Sequence, residues 1–193
     1  MTVSRETELL DSYAELLRKW NSSINLIAKS TLQEIETRHI ADSRRLAELA
    51  RAADGPWLDL GSGGGFPGLV LAILRSDLSV SLMESDQRKA AFLRSVIREL
   101  KLPNATVICQ RIEHAQPQRV GNVSARALAP LPLLMSYVTR HLAFGGTAWL
   151  MKGRNWQKEV DDARREWRFH LRDHPSATDP EATILEITGI EHA

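Results

Sequence analysis

One cysteine, Cys109, occurs in 193 residues. That excludes an internal disulfide and any zinc cluster built on cysteines, and no other metal ligand set stands out. No apolar run approaches the ~20 residues that a membrane-crossing helix requires. The first residues include Ser4, Arg5, Glu6 and Glu8, which do not read as a signal peptide. Charge of one sign is not in excess: 25 Lys and Arg stand against 24 Asp and Glu, a net +1. The molecule as a whole therefore has no basic footprint, and polyanion binding would need local patches. Repeats and low-complexity tracts are missing too. These absences lead to the expectation of a cytoplasmic protein with no membrane partner, a monomer by default. The 43% hydrophobic content is ordinary for a globular chain, and the length suits one compact domain with a full core.

What is present is organised around Trp57–Gly68. A short apolar run, Trp57, Leu58 and Leu60, is interrupted by Asp59 and followed by glycines at 61, 63, 64, 65 and 68. The apolar run Leu69–Leu74 comes next, so the stretch reads as strand, tight turn and helix. The order Asp-x-Gly-x-Gly-x-Gly differs from the dinucleotide fingerprint. A carboxylate at Asp59 would repel a pyrophosphate and suits a ligand that brings an ammonium, such as S-adenosylmethionine. Glu84 ends a second predicted strand, Val80–Met83, where an acid can accept both ribose hydroxyls. The bland alternative is a glycine-rich turn without a cofactor.

Elsewhere the periodicity predicts a helix over 4–20 with a stripe of Leu9, Leu10, Tyr13, Leu16, Leu17 and Trp20. A second helix is expected from Thr31, with Glu34 completing a capping box. Its apolar face carries His39, Asp42 and Ser43, which are either bonded to one another, His39 to Asp42, or used in chemistry. Helices are predicted over Gln87–Leu100, Leu131–His141 and 155–166, and strands over Ala105–Cys109, Val120–Ala125 and Thr147–Met151. Phe169–Asp173 and Thr183–Ile187 are expected to close the sheet as an antiparallel pair. The alternation implies an α/β fold, a mostly parallel sheet with helices on both faces. Asp59, Glu84, Glu113, Arg126 and Lys152 then fall at successive strand ends and should share one rim. Cys109 reads as a small core residue.

These residues together resemble the bacterial ribosomal RNA small-subunit guanine-N7 methyltransferase family, also called glucose-inhibited division protein B. The resemblance rests on Lys19-Trp20-Asn21 with Asn25-Leu26, on Arg38-His39-Ile40-Ala41-Asp42-Ser43, and on Asp59 to Gly68 with its Gly-Phe-Pro-Gly ending. It continues through Arg111-Ile112-Glu113, Ala125-Arg126-Ala127 and Lys152-Gly153. It implies a class I S-adenosylmethionine-dependent methyltransferase fold, Rossmann-like, with an N-terminal helical extension over 1–54 on a core over 55–193. It implies S-adenosylmethionine as methyl donor, S-adenosylhomocysteine as product, and a guanosine of 16S rRNA in the small ribosomal subunit as the substrate, leaving 7-methylguanosine. Asp59, Gly61, Ser62, Gly63, Gly65 and Phe66 would line the cofactor site, with Ile112 and Glu113 at the adenine and Glu84 at the ribose. Arg126 would sit beside cofactor and target base; Asn25, His39, Arg111 and Lys152 are the further candidates for holding RNA or the guanine. The family often has Asp at Glu84, and usually Ser at Ala125 and Asp at Gly121.

The chemistry fits what the chain lacks. Guanine N7 carries a lone pair and no proton, so no general base is needed and catalysis reduces to positioning and electrostatics. There is no Asn/Asp-Pro-Pro-aromatic motif for an exocyclic amine, and Cys109 does not sit in a Pro-Cys loop for covalent attack on a pyrimidine. Residues 152–172 hold seven Lys/Arg, a candidate phosphate-binding face; the alternative is a solvated helix with pairs such as Lys158–Asp162. Competing functions are methyl transfer to a small molecule or protein, a silent RNA-binding module, and a nicotinamide dehydrogenase, which Asp59 suits poorly.

Overall fold

The computed structural model of the chain describes residues 4–193. Ser4 caps helix α1 (Arg5–Asn21), its hydroxyl accepting from the Thr7 amide. The predicted stripe faces inward: Leu10, Tyr13 and Leu17 are buried and Leu9, Leu16 and Trp20 pack at the edge of the same cluster. Asn21 ends α1 and accepts from the amides of Leu26 and Ile27, which fixes the loop that follows.

The second helix departs from the expected capping box. A 3-10 turn (Lys29–Glu34) leads into a π-helical stretch (Ile35–Ile40), and only then into α2 (Ala41–Leu49). Thr31 does not cap: its hydroxyl donates back to the Ala28 carbonyl and meets the His39 ring. Glu34 is drawn into an ion pair with Arg38 instead. A π turn is a common mark of functional sites, and this one carries Arg38 and His39.

From Pro56 the chain alternates β1 (Pro56–Leu60), α3 (Gly68–Leu74), β2 (Ser79–Met83), α4 (Gln87–Glu99), β3 (Ala105–Ile108), β4 (Val120–Arg126), α5 (Leu131–His141), β5 (Leu142–Lys152), α6 (Trp156–Ala163), β6 (Trp167–Pro175) and β7 (Thr183–His192). The sheet order is β3-β2-β1-β4-β5-β7-β6. The first five strands run parallel, and β7 is antiparallel to both β5 and β6. The expected mostly parallel sheet with an antiparallel closing pair is what forms. β5 starts five residues before its predicted Thr147, because Leu142–Gly146 joins the ladder through an irregular register opposite Val120–Asn122.

Side chains on alternate faces of the strands feed two cores. Trp57, Val80 and Leu82 join α1, α3 and α4 residues in one; Leu58, Leu60, Val123 and Leu150 join α5 and α6 residues in the other. Cys109 lies just past β3 and is only half-buried, so it is not the core residue the pattern suggested. No described helix is long and apolar enough to cross a membrane.

Helix α1 belongs structurally to the glycine loop. The Tyr13 hydroxyl, fully buried, donates to the Gly64 carbonyl, and its ring packs 5.3 Å from Phe66. Burial pushes the phenol well above its usual pKa, so it acts as a donor throughout the working range. Tyr13→Phe removes that donor and strands a buried carbonyl, at a cost of about 1–2 kcal/mol in urea unfolding. An unchanged midpoint would mean the bond contributes nothing.

Candidate functional site

Parallel pairing brings the C-terminal ends of β1 to β5 to one rim, as open α/β sheets do at their ligand crevices. Three cavities run along it, of about 370, 370 and 320 Å³. The first two share Gly61, Gly63, Lys89 and Ala127; the second and third share Arg38, Arg126 and Ala127. Through these shared residues they form one groove, and the glycine loop floors its first two cavities.

The loop takes its shape from its glycines. Gly65 has φ +95°, and a Cβ there would stand 2.4 Å from Leu69 Cδ1 and 2.8 Å from the Tyr13 hydroxyl. Gly68 opens α3, where a Cβ would meet Leu82 at 2.3 Å and Asp59 Oδ2 at 2.7 Å. Loop and helix can approach β1 and β2 this closely only without side chains.

Glu84 sits immediately past β2 and is buried. Its Oε2 accepts from the Gly63 amide at 2.9 Å and its Oε1 from the Asp86 amide at 2.8 Å, so the carboxylate is braced against the loop. It lines the first cavity with Ile112, Glu113, Arg111 and Leu128. Ile112 is buried; Arg111 and Glu113 are exposed and pair loosely at 3.6 Å. His141 donates to the Ile112 carbonyl at 3.0 Å and Arg140 to the Ala115 carbonyl at 2.8 Å, so the end of α5 anchors this wall.

Asp59 lies beneath the loop, fully buried, and lines none of the cavities. Its Oδ1 accepts from Ser124 at 2.7 Å and its Oδ2 has no hydrogen-bond partner among the described residues. Burial, opposed by the Ser124 hydroxyl, pushes its carboxyl up to about 6. A raised folded-state value means that its contribution to stability is full below about pH 4 and is lost as pH rises through about 6. Relative to Asp59→Asn, the chain should gain about 1 kcal/mol between pH 7 and pH 5. A difference that does not change with pH would mean that Asp59 titrates as an ordinary carboxylate.

Ser62 is buried and its hydroxyl donates to the Asp59 carbonyl. Phe66 and His39 stack, centroids 5.1 Å apart, on the wall of the second cavity. Of the two alternatives, the His39–Asp42 bond does not form: His39 Nε2 pairs with Thr31 at 2.9 Å, and Asp42 bonds Ser176 instead. Burial, followed by the nearby Arg126 and Arg38 charges, lowers the His39 pKa to about 4, which leaves the ring neutral at pH 7.

Arg126 ends β4 and divides the second cavity from the third. Its guanidinium is mostly buried yet poorly satisfied, with a long bond to the His39 carbonyl (3.5 Å) and Asp42 at 3.9 Å. Burial lowers its pKa, but arginine stays a cation. The residue lines both the second and the third cavity. The next residue, Ala127, has φ +50° and touches all three cavities. Strain of this kind is held where the surroundings over-determine the backbone.

The other candidates are less free. Lys152 is buried at the third cavity, where it pairs with Glu159 and donates to the Ala129 carbonyl at 2.9 Å; Glu159 also takes the Leu131 amide. Asn25 is exposed and lines none of the three cavities, while its neighbours Leu26 and Ile27 line the second. The basic stretch 152–172 does not form one cationic face. Arg154, Arg165 and Arg172 pair with Glu181, Asp162 and Glu186, Arg164 lies over the Phe169 ring, and Asp162 takes Arg165 where Lys158 was expected. Lys89 and Leu128 also line the groove although no local signal marks them; Thr31 read only as a helix cap, and Arg38, quoted in the family block without a role at the site, is delivered to the groove by the π turn.

The profile of a family described as GidB, rRNA small subunit methyltransferase G, matches residues 6–183. A protein named ribosomal RNA small subunit methyltransferase G from Paracoccus denitrificans is 65% identical over 193 residues, covering 100% of both chains. Among solved structures, a variant of MtNAS in complex with S-adenosylmethionine superimposes with a TM-score of 0.64 at 16% identity, covering 94% of this chain and 72% of that one. A putative S-adenosyl-L-methionine-dependent methyltransferase from Methanococcus maripaludis superimposes with a TM-score of 0.63 at 12% identity, covering 97% and 96%. At these identities the two structures establish the class I methyltransferase fold.

Proposed function

The chain belongs to the rRNA small subunit methyltransferase G family, and we propose that it transfers a methyl group from S-adenosylmethionine to N7 of a guanosine in 16S rRNA. The observation that carries this reading is the continuity of the groove: a loop-and-acid cleft opens past Arg126 into a second chamber large enough for a base. The residues present fit the cofactor. Glu84, held by the Gly63 and Asp86 amides, keeps its carboxylate at the cleft for ribose hydroxyls. Ile112 gives an apolar wall for the adenine, and Phe66 a second beside His39.

Bound there, S-adenosylmethionine supplies a methyl on a sulfonium. The guanine N7 lone pair forms the new N–C bond as the methyl–sulfur bond breaks, its electron pair staying on sulfur. No proton moves, so no base is required, and neutral His39 is suited to packing rather than proton transfer. Arg126 lines the groove with donors to spare, and orients the base through O6. Arg38, Lys89 and Arg111 stand around the opening for phosphates. Lys152 acts by holding Glu159 and the start of α5. We further propose that residues 1–54 are a helical extension that closes the groove over a core of 55–193, and that the protein works in the cytoplasm as a monomer on the small subunit.

The test incubates the protein with tritiated S-adenosylmethionine and small subunits from cells that lack the enzyme, and identifies the labelled nucleoside after digestion. Label in 7-methylguanosine is expected. Label in another nucleoside, or none despite cofactor binding, would overturn the reading.

A further inference from the structure

The third cavity has a recognition element that the reaction itself does not call for. Asp42 is buried at its wall on α2. Its Oδ1 is taken by two hydroxyls from the β6–β7 connection, Ser176 at 2.6 Å and Thr178 at 3.1 Å. Among the described residues its Oδ2 accepts no hydrogen bond, and the nearest cation, Arg126 Nη2, is 3.9 Å away. A carboxylate that lines the chamber is thus fixed by one oxygen and keeps the other free of hydrogen bonds, beside an arginine with spare donors.

We propose that Asp42 reads the Watson–Crick edge of the target guanine. The inference rests on the guanosine reading above. Along a guanine the atoms run N7, O6, N1–H and N2–H₂: attack site, acceptor, donor, donor. Along the groove the order is cofactor cleft, Arg126, Asp42. With N7 at the cleft, O6 meets the guanidinium, and N1–H and an N2 hydrogen reach the free carboxylate oxygen. Adenine presents an acceptor at its N1, so the carboxylate repels it, and a buried acceptor left unpaired is a strong ground for rejection. The contact also serves the reaction. As N7 gains its methyl the ring becomes cationic and its N1–H more acidic, so the bond to Asp42 strengthens as charge develops. Ser176 and Thr178 are positioning residues: they turn the carboxylate so that Oδ2, not Oδ1, faces the base.

The test uses small subunits reconstituted with guanosine or inosine at the methylated position; inosine keeps O6 and N1–H but lacks the N2 amino group. The wild-type protein should methylate the inosine subunits about 10-fold more slowly. Asp42→Asn keeps an oxygen for Ser176 and Thr178 but presents an amide to the base; it should lose about 100-fold in rate on guanosine, hold the cofactor as before, and no longer distinguish guanosine from inosine. Equal wild-type rates on the two substrates overturn the proposal without any variant. So does an Asp42→Asn protein that keeps the wild-type guanosine-to-inosine ratio, however slow it is, since Asp42 would then be only structural. Transfer by the wild type to neither substrate would overturn the guanosine reading itself, and this inference with it.

Discussion

Arg126→Ala should lower the single-turnover methylation rate by 10²–10³-fold, leaving the fold and the cofactor dissociation constant within a few-fold of wild type. The size follows from placement. The guanidinium is mostly shielded from water, where its charge acts more strongly than on the surface. It has few bonds of its own to lose, a 3.5 Å contact to the His39 carbonyl and a 3.9 Å approach to Asp42, so truncation leaves few internal groups stranded. Phe66, which shares the second cavity with it, is held by the Tyr13 and His39 rings. A variant that turns over near the wild-type rate would remove Arg126 from the mechanism; one that loses cofactor affinity equally would move its role to the cofactor. Arg126→Lys keeps the charge but not the planar fork, and is expected to recover only a small part of the rate.

How much of this was legible in the sequence depended on whether the signal was local. The glycine loop, the acid after the second strand and the strand-end placement of Arg126 follow from period and spacing, because one turn fixes which way a strand end points. The closing antiparallel pair was legible as two late apolar runs, although both strands are longer than their apolar centres. The second helix was not. Thr31 and Glu34 have the spacing of a capping box, but Thr31 is recruited by His39 and Glu34 by Arg38 four residues on, so competing contacts within the same segment override the motif. Asp42 drew attention as a polar residue on an apolar face, yet its partners, Ser176 and Thr178, lie over 130 positions away, and no periodicity reports them. Lys152 showed the opposite error: a cation at a strand end reads as free for substrate, whereas Glu159 one turn into α6 claims it.

Gly65→Ala is the substitution expected to damage the fold most for the fewest atoms added. The methyl would stand 2.4 Å from Leu69 Cδ1 and 2.8 Å from the Tyr13 hydroxyl, on a backbone at φ +95°. Strain at such a φ and overpacking each cost about 1–3 kcal/mol, so about 2–6 kcal/mol together, or a fall of about 10 °C in Tm for a chain of this length. Saturating cofactor should restore part of the loss, because it binds only the folded loop. The two causes can be separated. Leu69→Ala, itself costly at a fully buried site, opens the space that the new methyl needs. If the clash dominates, the double variant Gly65→Ala/Leu69→Ala should be more stable than the sum of the singles by at least about 1 kcal/mol. If the costs simply add, the strain is in the backbone, and the glycine at 65 is required by the turn rather than by the helix behind it. A Gly65→Ala protein with wild-type Tm would mean that the loop can relax away from Leu69 and Tyr13, and that α1 does not clamp the cofactor floor.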